Sequence, residues 1–359
     1  MIRPREVAAL VLLPAVLLVG CVRQTGVGND VTGSSTLARA GIDPAAIQHL
    51  IADLRTDVHP DLKSVLILRH GGLVSETYFN GADSETLHDI RSAGKSITAT
   101  LVGIAIDEGL IGSVDEPLGR YFPDQHDPKK TNILIRDVLT MRSGLAADDA
   151  DTTSPGNEAL LDMSPDFVDF VFQLPMKSVP GSIYVYASAN AFLAGALVEN
   201  AAKMRLDQFA QQSLFTPLGI DKFTWRLAPH NRGVGQGNLS LRARDIARIG
   251  QLFLDHGSFD GRQVVSAAWV KASLEPHASI GAVDRYADGY GYMWYSKTYE
   301  IAGRQIQVQF ASGNGGNKIY LVPGLDLVVV VTSSAYGRGY GQERAERILL
   351  GILASVHPA

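Results

Sequence analysis

The stretch DIRSAGKSITATLVGIAIDEGLIGSVDEPLGRYFP, residues 89–123, is where the fold of this chain can be read. From Ser92 to Glu108 small and apolar residues run almost unbroken, with Ile97, Leu101, Val102, Ile104 and Ile106 among them. A run of that length predicts a buried helix, ended by Gly109. Its start holds Ser92-Ala93-Gly94-Lys95, an S-x-x-K. As a bare pattern this means little, since a chain of this length holds roughly one by chance. Its position gives it content. A Ser at a helix N-terminus lies where free backbone N–H groups and the positive end of the helix dipole stabilise an oxyanion. Lys95, three residues on, shares its face, so its amine can reach the hydroxyl. Burial in so apolar a helix should lower the amine's pKa and make it a base. A Ser N-cap followed by a solvated Lys is the plainer alternative, and these four residues alone leave both readings open.

Outward from this helix the pattern changes twice. Before it, SVLILRH and LVSETYF flank Gly71-Gly72, two β-rich runs around a glycine pair, which predicts a hairpin. Further back, Asp43-Pro44 is an N-cap followed by Pro at the first helical position, with Ile47, Leu50, Ile51 and Leu54 at helical spacing. After it, ILIRDVLTM, PDFVDFVFQL, ANAFLAGALVENAAK and RARDIARIGQLFLDHG carry helical periodicity. The runs YGYMWYS, IQVQFAS, NKIYLV and LDLVVVVTS are then β-rich, and a last helix spans about Gln342 to Val356. Strands at both ends with helices between predict an α+β fold. One antiparallel sheet takes its strands from the N- and C-terminal parts, terminal helices flank it, and a mostly helical insertion occupies about residues 115–280. The site falls in the cleft between the two parts.

Composition sets the outer limits. Of 359 residues 46% are hydrophobic, enough for a large core. With 32 Lys+Arg against 37 Asp+Glu the net charge is −5, which argues against a nucleic-acid surface. The 9 His include no i, i+4 pair and no Cys neighbour, so no zinc ligand set is visible and neither a metal nor an organic cofactor is expected. The single Cys excludes an intramolecular disulfide. It stands at the end of a secretory pattern: Arg3 and Arg5, then an apolar run from Val7 to Val19, then Gly20-Cys21. The run falls short of the roughly 20 residues a membrane span needs. Leu18-Val19-Gly20-Cys21 resembles the bacterial lipobox. That resemblance implies a signal peptide over residues 1–20, lipid on Cys21 and export to a bacterial membrane, on its periplasmic or cell-surface side. An ordinary cleaved signal containing a Cys is the alternative. Residues 22–36 are rich in Gly, Ser and Thr, so 21–42 is expected to be a flexible tether and 43–357 the functional domain.

No G-x-S-x-G occurs, which excludes the nucleophile elbow of the α/β-hydrolases. Residues 89–123 instead resemble the first motif region of the serine β-lactamase-like hydrolases, the family of class C β-lactamases, D-alanyl-D-alanine carboxypeptidases and related esterases and amidases. The similarity continues in order through ILIRDVLTMRSGL, PGSIYVYASANAFLAGALVE, LSLRARDIARIGQLFLDHG, GYGYMWY and ASGNGGNKIYLVPGLDLVVVVTS, over about residues 60–335. It implies that Ser92 is the nucleophile and Lys95 part of its base. The family's second motif, Y-x-N, matches Tyr186-Ala187-Ser188. Tyr186 then shuttles the proton, and Ser188 replaces the Asn that contacts Lys and substrate. Asn190 takes that place if Ser188 does not, and Tyr184 is expected to be structural. The third motif, K-T-G or H-T-G, matches Ala311-Ser312-Gly313. Ser312 and Gly313 then line the substrate, and the N–H of Asn314 joins that of Ser92 in the oxyanion hole. Gly315 fits the motif glycine as well as Gly313 does, so the register spans two residues. Ala311 cannot bind a substrate carboxylate as Lys or His would. Trp294 is expected to line the acyl pocket, and Arg91 either charges the site or makes a structural ion pair. The implied activity is that of a serine hydrolase acting on carboxylic esters or small amides. The alternatives are hydrolysis of β-lactams or muropeptide D,D-amides, and a non-catalytic envelope binding protein of the same fold. The implied partners are a small ester, amide or lactam and, through Cys21, a membrane.

Overall fold

A left-handed pair, His70 (φ 52°) and Gly71 (φ 72°), turns the first hairpin between strands β1 (Leu62–Arg69) and β2 (Gly72–Tyr78). The computed structural model describes residues 33–357. The signal segment and Cys21 lie outside the described residues. The chain goes on through β3 (Leu87–Asp89), β4 (Phe223–Trp225) and β5 (Leu239–Arg242), a small sheet in the order β3-β5-β4. The C-terminal strands are β6 (Ala278–Ser279), β7 (Gly289–Tyr290), β8 (Tyr295–Ile301), β9 (Arg304–Gly313), β10 (Asn317–Val322) and β11 (Leu327–Ser333). With β1 and β2 they form an eight-stranded antiparallel sheet, order β6-β7-β8-β9-β10-β11-β1-β2. The first strand therefore pairs with the last, from Leu62↔Ser333 to Arg69↔Leu327. The fold is α+β, as the strand clusters at the two ends of the sequence predict.

Six helices matter for the site and its support: α1 (Ser34–Arg39), α2 (Pro44–Arg55), α3 (Gly94–Asp107), α4 (Ser188–Ala202), α5 (Ala243–Leu254) and α6 (Tyr340–Ser355). Asp43 caps α2 by accepting from Ala45 N (2.9 Å), with Pro44 at the first position. Helices α2 and α6 pack together on one face of the sheet. On the other, α5 brings Gly250 down onto Ile319, Leu321 and Val328. Covered on both faces, β11 is buried along its whole length, which is why LVVVVTS carries no alternation. Helices α3 and α4 pack on each other, with Gly94–Ala105 and Ser188–Glu199 buried, so the helix that precedes the insertion packs against one within it.

Two expectations need correction. The tether does not reach residue 42. Ser34–Arg39 is helical, Leu37 is fully buried, and Ile42 pairs with Val356. YGYMWYS is not one strand, because Met293 (φ 59°) and the closely packed Gly291 break it between β7 and β8. Within the insertion, helices at Ile135–Leu139 and Phe167–Gln173 are five and seven residues long, and strands β4 and β5 pair there in the small sheet.

Candidate active site

Ser92 sits in a single 3-10 turn, Arg91–Ala93, that leads into α3. The turn is pinned from behind. Arg91, at φ 52°, donates its N–H to Asp89 Oδ1 (2.9 Å), and Ile90 N donates to Leu239 O (3.0 Å). The Arg91 guanidinium pairs with Asp89 (3.3 Å) and lies 4.1 Å from the Tyr336 ring centroid, which makes it structural. One helical turn on, Lys95 is 2% exposed, and its Nζ donates to Ser92 Oγ (2.9 Å) and Gln236 O (2.8 Å). Tyr186, just ahead of α4, places its ring centroid 5.1 Å from that Nζ. Motif residues about 90 positions apart thus meet because α3 and α4 pack side by side.

The loop that supplies the Gln236 carbonyl is held by Thr98 Oγ1, which donates to Gly235 O (2.7 Å), and by Trp225 Nε1, which donates to Val234 O and Gly237 O. A Cβ on Gly237 would lie 2.9 Å from Arg91 O, so this approach to the nucleophile turn requires glycine.

The charge state of Lys95 reverses the expectation. Burial is the largest influence and by itself would lower the pKa. The Tyr186 side chain and the carboxylates of Glu158 and Asp149 outweigh it, and the net shift is upward. Burial, in turn, raises Asp149. Neither acid belongs to a motif, and no spacing marks them in the sequence. They also account for Ser188. That residue is 0% exposed, its Oγ donating to Glu158 Oε1 (2.8 Å) and its N–H to Asp149 Oδ2 (2.7 Å). Its hydroxyl is turned into the acid pair and not toward a substrate, a correction to the sequence reading.

Asn190 and Trp294 are corrected too. Asn190 is buried, with Nδ2 directed at Met141 Sδ (3.6 Å) and Oδ1 without a hydrogen-bond partner among the described residues. Trp294 is buried against Phe253 of α5, ring centroids 4.5 Å apart, because the break between β7 and β8 turns it into the core. Tyr184 packs edge-on to Tyr290, at 5.2 Å.

At the third motif, a Cβ on Gly313 would lie 2.0 Å from Ile90 O and 3.1 Å from Ala93 N. The end of β9 therefore rests directly on the Ser92 turn. Gly315 and Gly316 (φ 88° and 87°) form the β9–β10 turn instead and face Tyr336 and Gly341. The register ambiguity resolves at Gly313, so Asn314 follows the glycine that touches the nucleophile turn. Its side chain anchors the neighbouring segment by accepting from Gly337 N (2.8 Å). Strand β8 accompanies β9 only as far as Tyr295↔Phe310, leaving residues 311–313 with an open edge. Ser312 is half-buried on that edge and accepts from Lys318 Nζ (2.7 Å), a residue that belongs to none of the three motifs.

Residues 58–352 match the β-lactamase family model. The chain belongs to the β-lactamase family. This β-lactamase-family chain is 26% identical over 283 residues to the 6-aminohexanoate-dimer hydrolase of Paenarthrobacter ureafaciens, covering 75% of this chain and 71% of that one. Over 302 residues it is 26% identical to penicillin-binding protein 4 of Amycolatopsis lactamdurans, covering 74% and 76%. Among solved structures, a family VIII carboxylesterase superposes with a TM-score of 0.65 at 16% identity over 85% of this chain and 96% of that one. A class C β-lactamase from Rhodobacter sphaeroides gives 0.63 at 16%, over 85% and 98%. At such identities the superpositions establish the fold. The β-lactamase family is one of serine hydrolases, and the chain is an enzyme of that family.

Proposed function

We propose that Ser92 forms an acyl-enzyme with carboxylic esters or small amides, and that Lys95 and Tyr186 together move its proton. The observation that carries this reading is the 2.9 Å hydrogen bond from the buried Lys95 amine to a hydroxyl that is itself half-exposed. As Ser92 Oγ bonds to the substrate carbonyl carbon, its proton leaves through the Tyr186–Lys95 pair. The negative charge on the carbonyl oxygen is received by the N–H groups of Ser92 and Asn314. The proton returns to the leaving oxygen or nitrogen as that bond breaks, and water then repeats the sequence to release the acid. Ala311 offers no charge to a substrate, which favours esters and amides over penicillins. A relative named for hydrolysing the 6-aminohexanoate dimer and a carboxylesterase neighbour support the same choice. The resemblance to penicillin-binding protein 4 keeps β-lactams and muropeptide amides as the second substrate class.

The test is hydrolysis of p-nitrophenyl butyrate beside nitrocefin, with fluorophosphonate labelling of Ser92 read by mass spectrometry. Ser92→Ala should abolish turnover and labelling together. Turnover at the wild-type rate in that variant would overturn the assignment. Turnover of nitrocefin alone would transfer the reading to lactams. Absence of both turnover and labelling in the wild-type protein would favour a binding role. We infer further that Cys21 carries lipid and holds the exported protein at a bacterial membrane. Cys21→Ala should then move it from the detergent phase to the aqueous phase in a Triton X-114 partition.

A further inference from the structure

The peptide that joins Gly313 to Asn314 carries the second N–H of the oxyanion site, and its direction is set from outside the cleft. A peptide unit is planar and trans, so its carbonyl and its N–H point in opposite directions. Gly313 O accepts from Gly316 N (3.2 Å), which closes the β9–β10 turn, and from Gln342 Nε2 of α6 (2.8 Å). The Asn314 N–H therefore leaves on the other side, along the edge that β8 leaves open beyond Phe310. The bond from Gly316 alone holds that plane loosely. Gly315 and Gly316 both have positive φ, and glycines let a turn rearrange at little cost. Gln342 is fixed more firmly, because the start of α6 rests on the same turn, backbone to backbone. A Cβ on Gly316 would lie 2.1 Å from Gly341 O, and one on Gly341 would lie 2.4 Å from Gly315 O.

The connector between β11 and α6 reaches both halves of the oxyanion site. Tyr336 Oη donates to Asp89 O (2.9 Å), and its ring lies against the Arg91 guanidinium, beside the turn that holds Ser92. One residue on, Gly337 N donates to Asn314 Oδ1 (2.8 Å). From β10, Asn317 Nδ2 donates to Asn314 O (2.8 Å), so the peptide after Asn314 is held too. In this set Gln342 is the one side chain that grips the peptide whose N–H is used. Its Oε1 is buried without a hydrogen-bond partner among the described residues, so the amide serves here through its donor. We propose that Gln342 is a positioning residue. Its bond to Gly313 O sets the Gly313–Asn314 peptide so that the Asn314 N–H meets the substrate's carbonyl oxygen as that oxygen gains charge. Without the bond the peptide can turn, and its own carbonyl oxygen then repels the charge that the N–H should receive. The proposal rests on the reading of Ser92 as nucleophile and of Asn314 as half of its oxyanion site.

The experiment measures kcat and kcat/KM for p-nitrophenyl butyrate in Gln342→Met, which keeps the length of the side chain and has no donor. Rates are divided by the fraction of chains that a fluorophosphonate labels at completion, so loss of folded enzyme does not count as loss of rate. Both constants should fall about tenfold, the scale of one hydrogen bond, with KM within about twofold of wild type. They fall together because the same N–H serves the transition states of acylation and deacylation. A merely structural role would not move the affinity for butylboronic acid in step. Its tetrahedral adduct on Ser92 places an oxygen in the same site, so its Ki should rise by the factor that kcat/KM loses. Gln342→Glu, similar in size but with only acceptors when ionised, should be at least as slow at pH 8. Glu343→Gln, at the exposed next position of α6, should match the wild type. Wild-type constants in Gln342→Met or Gln342→Glu, or a raised KM with kcat unchanged, would overturn the proposal. So would a Ki that stays in place while turnover falls, or an equal fall in Glu343→Gln. Hydrolysis that persists in Ser92→Ala speaks against the nucleophile, whatever Gln342 does. An inactive Ser92→Ala beside a fully active Gln342→Met removes this proposal alone.

Discussion

The proton on Lys95 is held by its surroundings more than by the motif that contains it. Tyr186, Glu158 and Asp149 together reverse the downward pull of burial. Asp149→Asn and Glu158→Gln should each lower the Lys95 pKa, so the alkaline limb of kcat/KM for p-nitrophenyl butyrate should move to lower pH. A limb that stays in place would show that these acids do not hold the proton. The nucleophile and its lysine are legible in the sequence because i, i+3 spacing on a helix fixes their contact. Asp149, Glu158 and Lys318 were missed because tertiary packing alone brings them in. Lys318 did leave a trace: it is the one charge in the strand run NKIYLV, whose neighbours are all built for a core.

Between elements, the Glu76–Arg244 pair fastens α5 to the outer strand β2. Glu76 is buried and takes both Arg244 Nε (2.7 Å) and Nη2 (2.6 Å), while Tyr78 donates to the same carboxylate. Arg244→Met leaves that carboxylate without its cation and should cost about 3 kcal/mol, measured by urea unfolding, the low end for a buried pair because the arginine is half-exposed. His88 of β3 is buried, with Nε2 unpartnered among the described residues and a pKa lowered to about 4 by burial. The unfolded chain therefore binds the proton more readily between pH 6.5 and 4, and stability falls as pH drops through that window. The loss should approach the order of 3 kcal/mol relative to His88→Gln, a control with nothing to titrate there. Identical pH dependence in the two proteins would discount the histidine. At this scale the sequence is readable where a pattern is long, as in α3 and β11. It misleads where a short apolar run hides a turn. Trp294 was assigned to the acyl pocket because the left-handed Met293 leaves no mark in YGYMWYS.

At the scale of the molecule, strand β9 meets the nucleophile turn without side chains between them, Gly313 against the backbone of Ile90 and Ala93. Gly313→Ala forces the two apart beside the nucleophile. It should lower kcat at least tenfold on p-nitrophenyl butyrate while the far-UV circular dichroism spectrum is retained; unimpaired turnover would place the oxyanion site elsewhere. The overall architecture was legible from the clustering of strands at the two ends of the chain, since only a shared sheet buries them. Those ends are joined more closely than the sequence indicates. Ile42 bridges Val356, Asp43 N donates to Ser355 O and His357 N to Gly41 O, so residues 41–43 run beside residues 355–357. The topology therefore suits circular permutation. A short linker from His357 back to Gly33, with new termini cut at the exposed Ala302–Gly303 turn, would leave every strand pairing of the sheet in place.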